Sequence, residues 1–170
     1  MTKIGLLSDT HGFFDPAIRE HFSNCDAVWH AGDWGTAEVA EQLKQLPVRE
    51  LQGVYGNIDG QDIRCTYPEQ LVFTCENVKV LIRHIGGYPP RYNPETKKQL
   101  ELHRPKLFIA GHSHMLKVQY DEKLQCLHMN PGAAGRQGWH TVRTLLRFEI
   151  NGTDIRNLEV IELGSRSGPL

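Results

Sequence analysis

The chain has 170 residues, 39% of them hydrophobic, and 19 Lys and Arg stand against 20 Asp and Glu for a formal net charge of −1. That length suits one domain with a full hydrophobic core. The near-neutral total gives a nucleic acid or an anionic membrane surface nothing to hold, and no apolar run is long enough to cross a bilayer.

Residues 1–8 carry one Lys, a short apolar stretch and no small-residue cleavage site, so they read as a first strand over 3–8 rather than a secretory signal. The four cysteines, Cys25, Cys65, Cys75 and Cys126, form no C-x-x-C pair and read as reduced thiols of a cytoplasmic protein. Asp15-Pro16 offers an N-cap and an N1 proline for a helix running toward Phe22. A second strand spans 26–30. Thr36 is placed to cap a helix through Lys44, which Pro47 follows, and a third strand region covers 48–55. Two runs, 71–73 and 78–82, flank Glu76-Asn77 as a hairpin. Asn93-Pro94-Glu95 opens a helix to His103, and the basic residues Lys97, Lys98, Arg104 and Lys106 read as its wet face. The apolar run 107–110 is a buried strand. The rest is β: 115–120, 124–129, 141–150 and 154–163, with Asn151-Gly152 as a type I′ turn between the last two. Strands and helices alternate in the first half and antiparallel strands fill the second, which predicts one α/β domain over 1–164 with two packed sheets and outer helices, and a loose tail over 165–170.

Five of these strands end alike. The ends read Asp9-x-His11, Gly32-Asp33, Gly56-Asn57-x-Asp59, His84, and Gly111-His112-x-His114. Ligands bind outside the carboxyl ends of strands in sheets of this kind. Taken singly, Asp9 could be a turn cap, Asn57 a turn residue and His84 a satisfied core histidine. Five independent ends converging on metal-ligand types is more than turn chemistry supplies. Asp9, His11, Asp33, Asn57, His84, His112 and His114 are too many for one ion. They match two ions sharing one carboxylate. Carboxylate and amide oxygens with imidazoles, and no thiolate, suit Mn²⁺, Fe²⁺, Zn²⁺ or Ni²⁺. No Ser or Cys stands beside a base as a nucleophile, and no Gly-rich phosphate loop is present.

In this order the motifs resemble the calcineurin-like metallophosphoesterase superfamily, and the compact length with Asn130-Pro131-Gly132 is similar to its small single-domain phosphodiesterase branch. The match runs from Ile4 to about Gly132. The resemblance implies a four-layer α-β-β-α sandwich of two mixed sheets with flanking helices, the metallo-dependent phosphatase-like fold. It implies a first metal on Asp9, His11, Asp33 and His114, and a second on Asp33, Asn57, His84 and His112, with Asp33 bridging. Asp33, Asn57 and His84 are then expected to carry the catalysis as well. The implied reaction is hydrolysis of a small phosphodiester by in-line attack of a hydroxide bridging two divalent ions, Mn²⁺ foremost. A phosphomonoesterase acting on a small phosphorylated metabolite is the alternative, and a non-catalytic scaffold, the use made of a retromer subunit resembling this family, is a third reading. No membrane and no nucleic acid is expected as partner, and a homo-oligomer is left open. Two departures stand out. Family phosphatases that read G-N-H-D/E place a His as proton donor where this chain has Ile58. The family's His-Gly reads His84-Ile85-Gly86 here. Arg136 is open to two readings, a phosphate contact or an ordinary surface residue.

Overall fold

The computed structural model describes residues 1–168. In chain order its elements are β1 (Thr2–Leu7), α1 (Ala17–His21), β2 (Ala27–His30), α2 (Ala37–Lys44), β3 (Glu50–Gly53), α3 (Gln61–Arg64), β4 (Gln70–Cys75), β5 (Val78–Arg83), β6 (Gly87–Tyr88), β7 (Arg91–Tyr92), α4 (Pro94–His103), β8 (Leu107–Ile109), β9 (Lys117–Asp121), β10 (Cys126–Asn130), β11 (Val142–Asn151) and β12 (Asp154–Ser165). One five-stranded sheet runs β12-β11-β1-β2-β3 and the other β4-β5-β8-β10-β9, with β6 and β7 as a separate ribbon. Both are mixed. β1, β2 and β3 are parallel with β11 antiparallel beside them. β5, β8 and β10 are parallel between antiparallel β4 and β9.

Strand alternation sorts the side chains into three cores. Ile4, Leu6 and Trp29 meet Val80, Ile82, Leu107, Ile109 and Met129 between the sheets. On the outer face of the first sheet, Leu7 and Val28 pack on Ile18 and Phe22 of the α1 segment and Val39 and Leu43 of α2. On the outer face of the second, Leu81 and Phe108 pack on Leu100 of α4. Helices, sheet, sheet and helix therefore stack in four layers. Each fully buried large side chain contributes about 1.5–3 kcal/mol, so all three interfaces hold the stack.

Local chemistry explains most boundaries. Asn93 Oδ1 accepts from the Glu95 amide at 3.1 Å, capping α4 as its sequence predicts. Asp15 accepts from the Ala17 amide at 2.9 Å ahead of α1. The β4–β5 hairpin turns at Glu76-Asn77, with Glu76 at φ 50°. The basic residues of and after α4 are exposed.

Four expectations are corrected. Thr36 sits at the N-cap of α2 without a side-chain bond, and the Asp62 carboxylate accepts the Ala37 amide instead, at 3.2 Å. The third strand is shorter than 48–55, because only residues 50–53 find a ladder partner in β2. Asn151 pairs with Asp154, so the β11–β12 turn is Gly152-Thr153, one residue later than expected. Gly152 has φ +62° and Thr153 is not at positive φ, which rules out type I′ and suits a glycine-first turn. The tail is not loose from 165: Ser165 ends β12, and the Arg166 amide donates to Thr141 O at 3.0 Å. Residues 169 and 170 of that expected tail lie outside the described residues.

Buried Arg143 ties the C-terminal strands to the start of α1. Its Nη1 meets Asp15 Oδ2 at 2.6 Å, and its other nitrogens donate to Ser165 O and Leu163 O at 3.2 and 3.1 Å. Burial alone would raise the Asp15 carboxyl, but Arg143 and the Ala17 amide outweigh it and hold the group below its ordinary range. Arg143→Ala strands a part-buried carboxylate and should cost about 3–5 kcal/mol in urea unfolding. A loss under about 1 kcal/mol would mean the pair is solvated.

Candidate metal centre

The registers bring the five strand ends to one edge. Leu7 pairs with His30 and His30 with Gly53 in the first sheet. Ile82 pairs with Ile109 and Ile109 with Met129 in the second. All seven residues expected from the sequence leave these ends and meet. Asp9, His11 and His114 form one cluster and Asp33, His84 and His112 another, with the ligand atoms of each within 4.8 Å of one another. Asn57 joins the second cluster, its Oδ1 accepting from His112 Nδ1 at 3.0 Å. Asp33 lies between the clusters, with Oδ2 at 3.5 Å from His11 Nε2 and 3.1 Å from His84 Nε2. Asp9 Oδ1 is 3.1 Å from His114 Nε2 and 3.7 Å from His11 Nε2.

Five of the seven residues, Asp9, His11, Asp33, His112 and His114, have φ between 46° and 70°. Non-glycine residues pay of order 1–3 kcal/mol each for such sparsely populated conformations. Hydrogen bonds between the loops hold them there. The Asp9 amide donates to Gly32 O at 2.9 Å, the His11 amide to Asp33 O at 3.0 Å, and the Gly111 amide to His84 O at 3.0 Å. Two glycines permit the close approach. A Cβ on Gly56 would lie 2.0 Å from Asp33 Oδ1, and one on Gly111 would lie 2.2 Å from Ser8 Oγ and 2.8 Å from Asp9 Oδ2.

The residues behind the clusters decide which atoms face inward. Asp9 Oδ2 accepts from Ser8 Oγ at 2.6 Å and from the His112 amide at 3.1 Å, which leaves Oδ1 for the site. His84 Nδ1 donates to Ala31 O at 2.7 Å, because a carbonyl only accepts, so Nε2 keeps its lone pair. His140 was not singled out in the sequence. Its Nε2 donates to Gly135 O at 2.8 Å, so its Nδ1 accepts from His114 Nδ1 at 3.3 Å and leaves His114 Nε2 free. A lone His in a Gly-rich loop gives no strand-end signal. Asp59 is buried and builds the loops: Oδ2 accepts from the Gly56 and Trp34 amides and Oδ1 from the Gly35 amide. His30 also lies below the site. Burial pushes its ring down to about 3, so it stays neutral between Thr10 Oγ1 and the Gly32 amide.

Burial would raise the Asp9 carboxyl, yet the His11 and His114 imidazoles hold it far below the carboxylate range. Burial would lower His84, yet the Asp33 and Asp9 carboxylates leave it raised. His11 is raised by Asp9 first and Asp33 next. Even so, Asp9 Oδ1, His11 Nε2 and His84 Nε2 are buried and make no hydrogen bond. Buried polar atoms without partners are costly. Cations in the two clusters would satisfy all three, and carboxylate, amide and imidazole donors without thiolate suit divalent ions. The residues therefore fit the metals that the motifs imply.

Ile58 is 46% exposed, and its amide donates to Asp33 Oδ1 at 3.1 Å. Arg136 turns to the C-terminal residues, donating to Arg166 O at 3.1 Å, and packs on Phe13.

Without metal, the raised folded values of His11 and His84 give a stability contribution that is complete below their ordinary 6.5 and is lost as pH rises through the folded values. The lowered rings of His30, His112, His128 and His140 act in the opposite sense, but their effect is complete once pH has passed well above 6.5. Thermal melts in chelator should therefore fall as pH rises above about 7.5, and a divalent ion should restore stability most at the higher pH. Melting temperatures that run parallel with and without ion across this range would contradict the arrangement.

The model of the calcineurin-like phosphoesterase superfamily domain matches residues 2–153. A probable metallophosphoesterase of Mycoplasma pneumoniae is 29% identical over 143 residues, 78% of this chain and 79% of that protein. One of Methanocaldococcus jannaschii is 27% identical over 139 residues, 76% of this chain and 67% of that protein. Among solved structures, an archaeal phosphodiesterase has a TM-score of 0.74 at 23% identity, covering 95% of this chain and 99% of its own. Vps29 of Entamoeba histolytica complexed with Zn²⁺ has a TM-score of 0.73 at 18% identity, covering 97% and 99%. With five motif-bearing strand ends gathered into two metal-type clusters and the family model spanning most of its length, the chain belongs to the calcineurin-like phosphoesterase superfamily, a family of metallophosphoesterases.

Proposed function

We propose that the protein is a dinuclear metal-dependent phosphodiesterase. The observation that carries this reading is the position of Asp33 between two clusters in which Asp9 Oδ1, His11 Nε2 and His84 Nε2 lack hydrogen-bond partners. One ion would be held by Asp9, His11, Asp33 and His114, the other by Asp33, Asn57, His84 and His112. Two such ions, Mn²⁺ foremost, lower the pKa of a water nucleophile, orient it for in-line displacement and neutralise phosphoryl charge. Asp9 and Asp33 offset only part of the charge of two divalent ions, so the site keeps a positive balance for an anionic phosphoryl group. His84 and His114 are held by Ala31 O and His140 in the tautomer that presents Nε2. Ile58 has no proton to give, so a leaving group departs without a donor at that position.

A diester is favoured over a monoester because cavities flank the centre on two sides. One is bounded by Tyr55, Asn57, Arg64, Arg83 and His84, the other by His112, Ser113, Tyr88 and Met115. Two ester arms can leave the phosphorus in different directions, and the archaeal neighbour carries the name phosphodiesterase.

Exhaustive chelation should abolish hydrolysis of aryl diesters, and Mn²⁺ should restore it. Asp33→Ala should lose both ions by elemental analysis, whereas Asn57→Ala should mainly weaken one. Two ions per chain in Asp33→Ala would overturn the ligand assignment. Metal retained without turnover on diesters or monoesters would favour the scaffold reading.

General acid catalysis contributes about 10²–10⁴-fold where a donor is in reach. Ile58→His should therefore speed diesters with poor leaving groups more than those with good ones. The check is the slope of log kcat against leaving-group pKa, measured with metal content and melting temperature matched. An unchanged slope would mean that another group already supplies the proton.

A further inference from the structure

Two cavities touch the metal centre, and their polar groups differ in what they have left to offer. In the cavity beside Asn57 both cations are engaged. Arg64 donates to the carbonyls of Asp59, Gly56 and Asn57. Arg83 donates to Gln70 Oε1 at 3.0 Å and reaches Glu69 Oε1 at 3.4 Å. The cavity beside His112 is different. It measures about 250 Å³, and Ile85, Tyr88 and Met115 give it apolar walls while remaining partly exposed.

Beside the Lys117 ammonium and the Asn93 amide, two groups on its surface keep unused hydrogen-bonding capacity. Ser113 Oγ accepts from Asn130 Nδ2 at 3.1 Å and from the Met115 amide at 3.2 Å, so its own proton is left to donate. His128 is buried and stacked on Phe108 at 5.0 Å between centroids. Its Nδ1 lies 3.2 Å from Phe108 O, which can only accept, so the proton is on Nδ1 and Nε2 remains an acceptor. Burial pushes this ring down to about 4 and keeps it neutral at physiological pH. The Lys117 ammonium rests 3.7 Å from the centre of the Tyr88 ring and holds both side chains in the wall. A slot with apolar walls, a donor in Ser113, an acceptor in His128 and the Lys117 ammonium at its rim suits a flat heterocycle with donor and acceptor functions on its edge and a phosphate beside it.

We propose that this cavity binds the base of a nucleoside, so that the substrate is a nucleoside phosphodiester whose phosphorus lies at the metal centre. The proposal rests on the phosphodiesterase reading for its chemistry, but the cavity can be tested apart from it. Tyr88 and Met115 would lie against the faces of the base, and Ser113 and His128 would read its edge. Selectivity would then come from Tyr88 of the β6–β7 ribbon, Ser113, Met115 and His128 of β10, not from the metal ligands.

Thymidine 5′-(p-nitrophenyl phosphate) and ethyl p-nitrophenyl phosphate share a leaving group and differ in the arm that would enter the cavity. The manganese-loaded protein should prefer the first in kcat/KM by about 10-fold or more. Tyr88→Ala and His128→Phe should bring the ratio toward one, mainly through KM for the thymidine ester. His128→Phe keeps the ring stack on Phe108, and its fold is checked by circular dichroism and melting temperature. Ser113→Ala, at an exposed position, gives a second test of edge reading and should also lower the ratio. A ratio near one in the wild type, or one unmoved by all three variants, would overturn the proposal while leaving the phosphodiesterase intact. If neither ester is hydrolysed, the phosphodiesterase reading fails, and NMR titration with free thymidine decides the cavity alone. Saturable shifts at Ile85, Tyr88 and Met115 would sustain it, and their absence would overturn it.

Discussion

Two carboxylates, Asp9 and Asp33, lie buried among four imidazoles at the edge shared by both sheets, and much of the molecule is arranged to hold them there. Buried charges are tolerated only when paired. Asp9 spends one oxygen on Ser8 and the His112 amide, and Asp33 spends one on the Ile58 amide. The second oxygen of each is turned toward imidazole nitrogens. Each sheet supplies part of this set, so the centre is also a joint between the two layers. Asp9, His11, Asp33 and Asn57 come from the first sheet, and His84, His112 and His114 come from the second.

The seven residues of the centre were legible in the sequence because each follows a short apolar strand, and parallel registers align those strand ends without further information. The layers were legible for a related reason: strand periodicity and the Asn93 and Asp15 caps are local. What was missed depends on contacts between segments. Asp62 replaces Thr36 at the start of α2 because α3 packs nearby, and a cap formed from another segment leaves no mark beside the helix it caps. His140 reaches His114 from a loop 26 residues away. The β6–β7 ribbon is two residues per strand, too short to carry a period. The turn after β11 slipped by one residue because its glycine fits either of two positions, and pairing of Asn151 with Asp154 decided between them.

Strain and support are set against each other at the centre. Left-handed backbone at five ligand-bearing positions would relax if the loops were free. Asp59 stops this by binding three amides from two loops, and Asn130 does the same for the loop of His112 by bonding Gly111 O, Ser113 Oγ and the Gly132 amide. The residues that fix this geometry are thus mostly not those that would touch a substrate; Ser113, held by Asn130 and lining the cavity, belongs to both. Variation at Ile85, Tyr88 or Met115 would leave that scaffolding in place.

The Asp9 carboxylate accepts from the His112 amide across 103 residues of chain. A contact of that span closes only after the intervening strands have paired, since loop-closure entropy is paid before the contact returns anything. The first cluster cannot exist in a chain that has made only its N-terminal βαβ units. An ion held by that cluster would therefore bind a chain already folded, unlike the small zinc modules in which the ion gathers an otherwise unfolded chain. During synthesis, neither cluster can form until the chain has been made through His112 and His114, after β8.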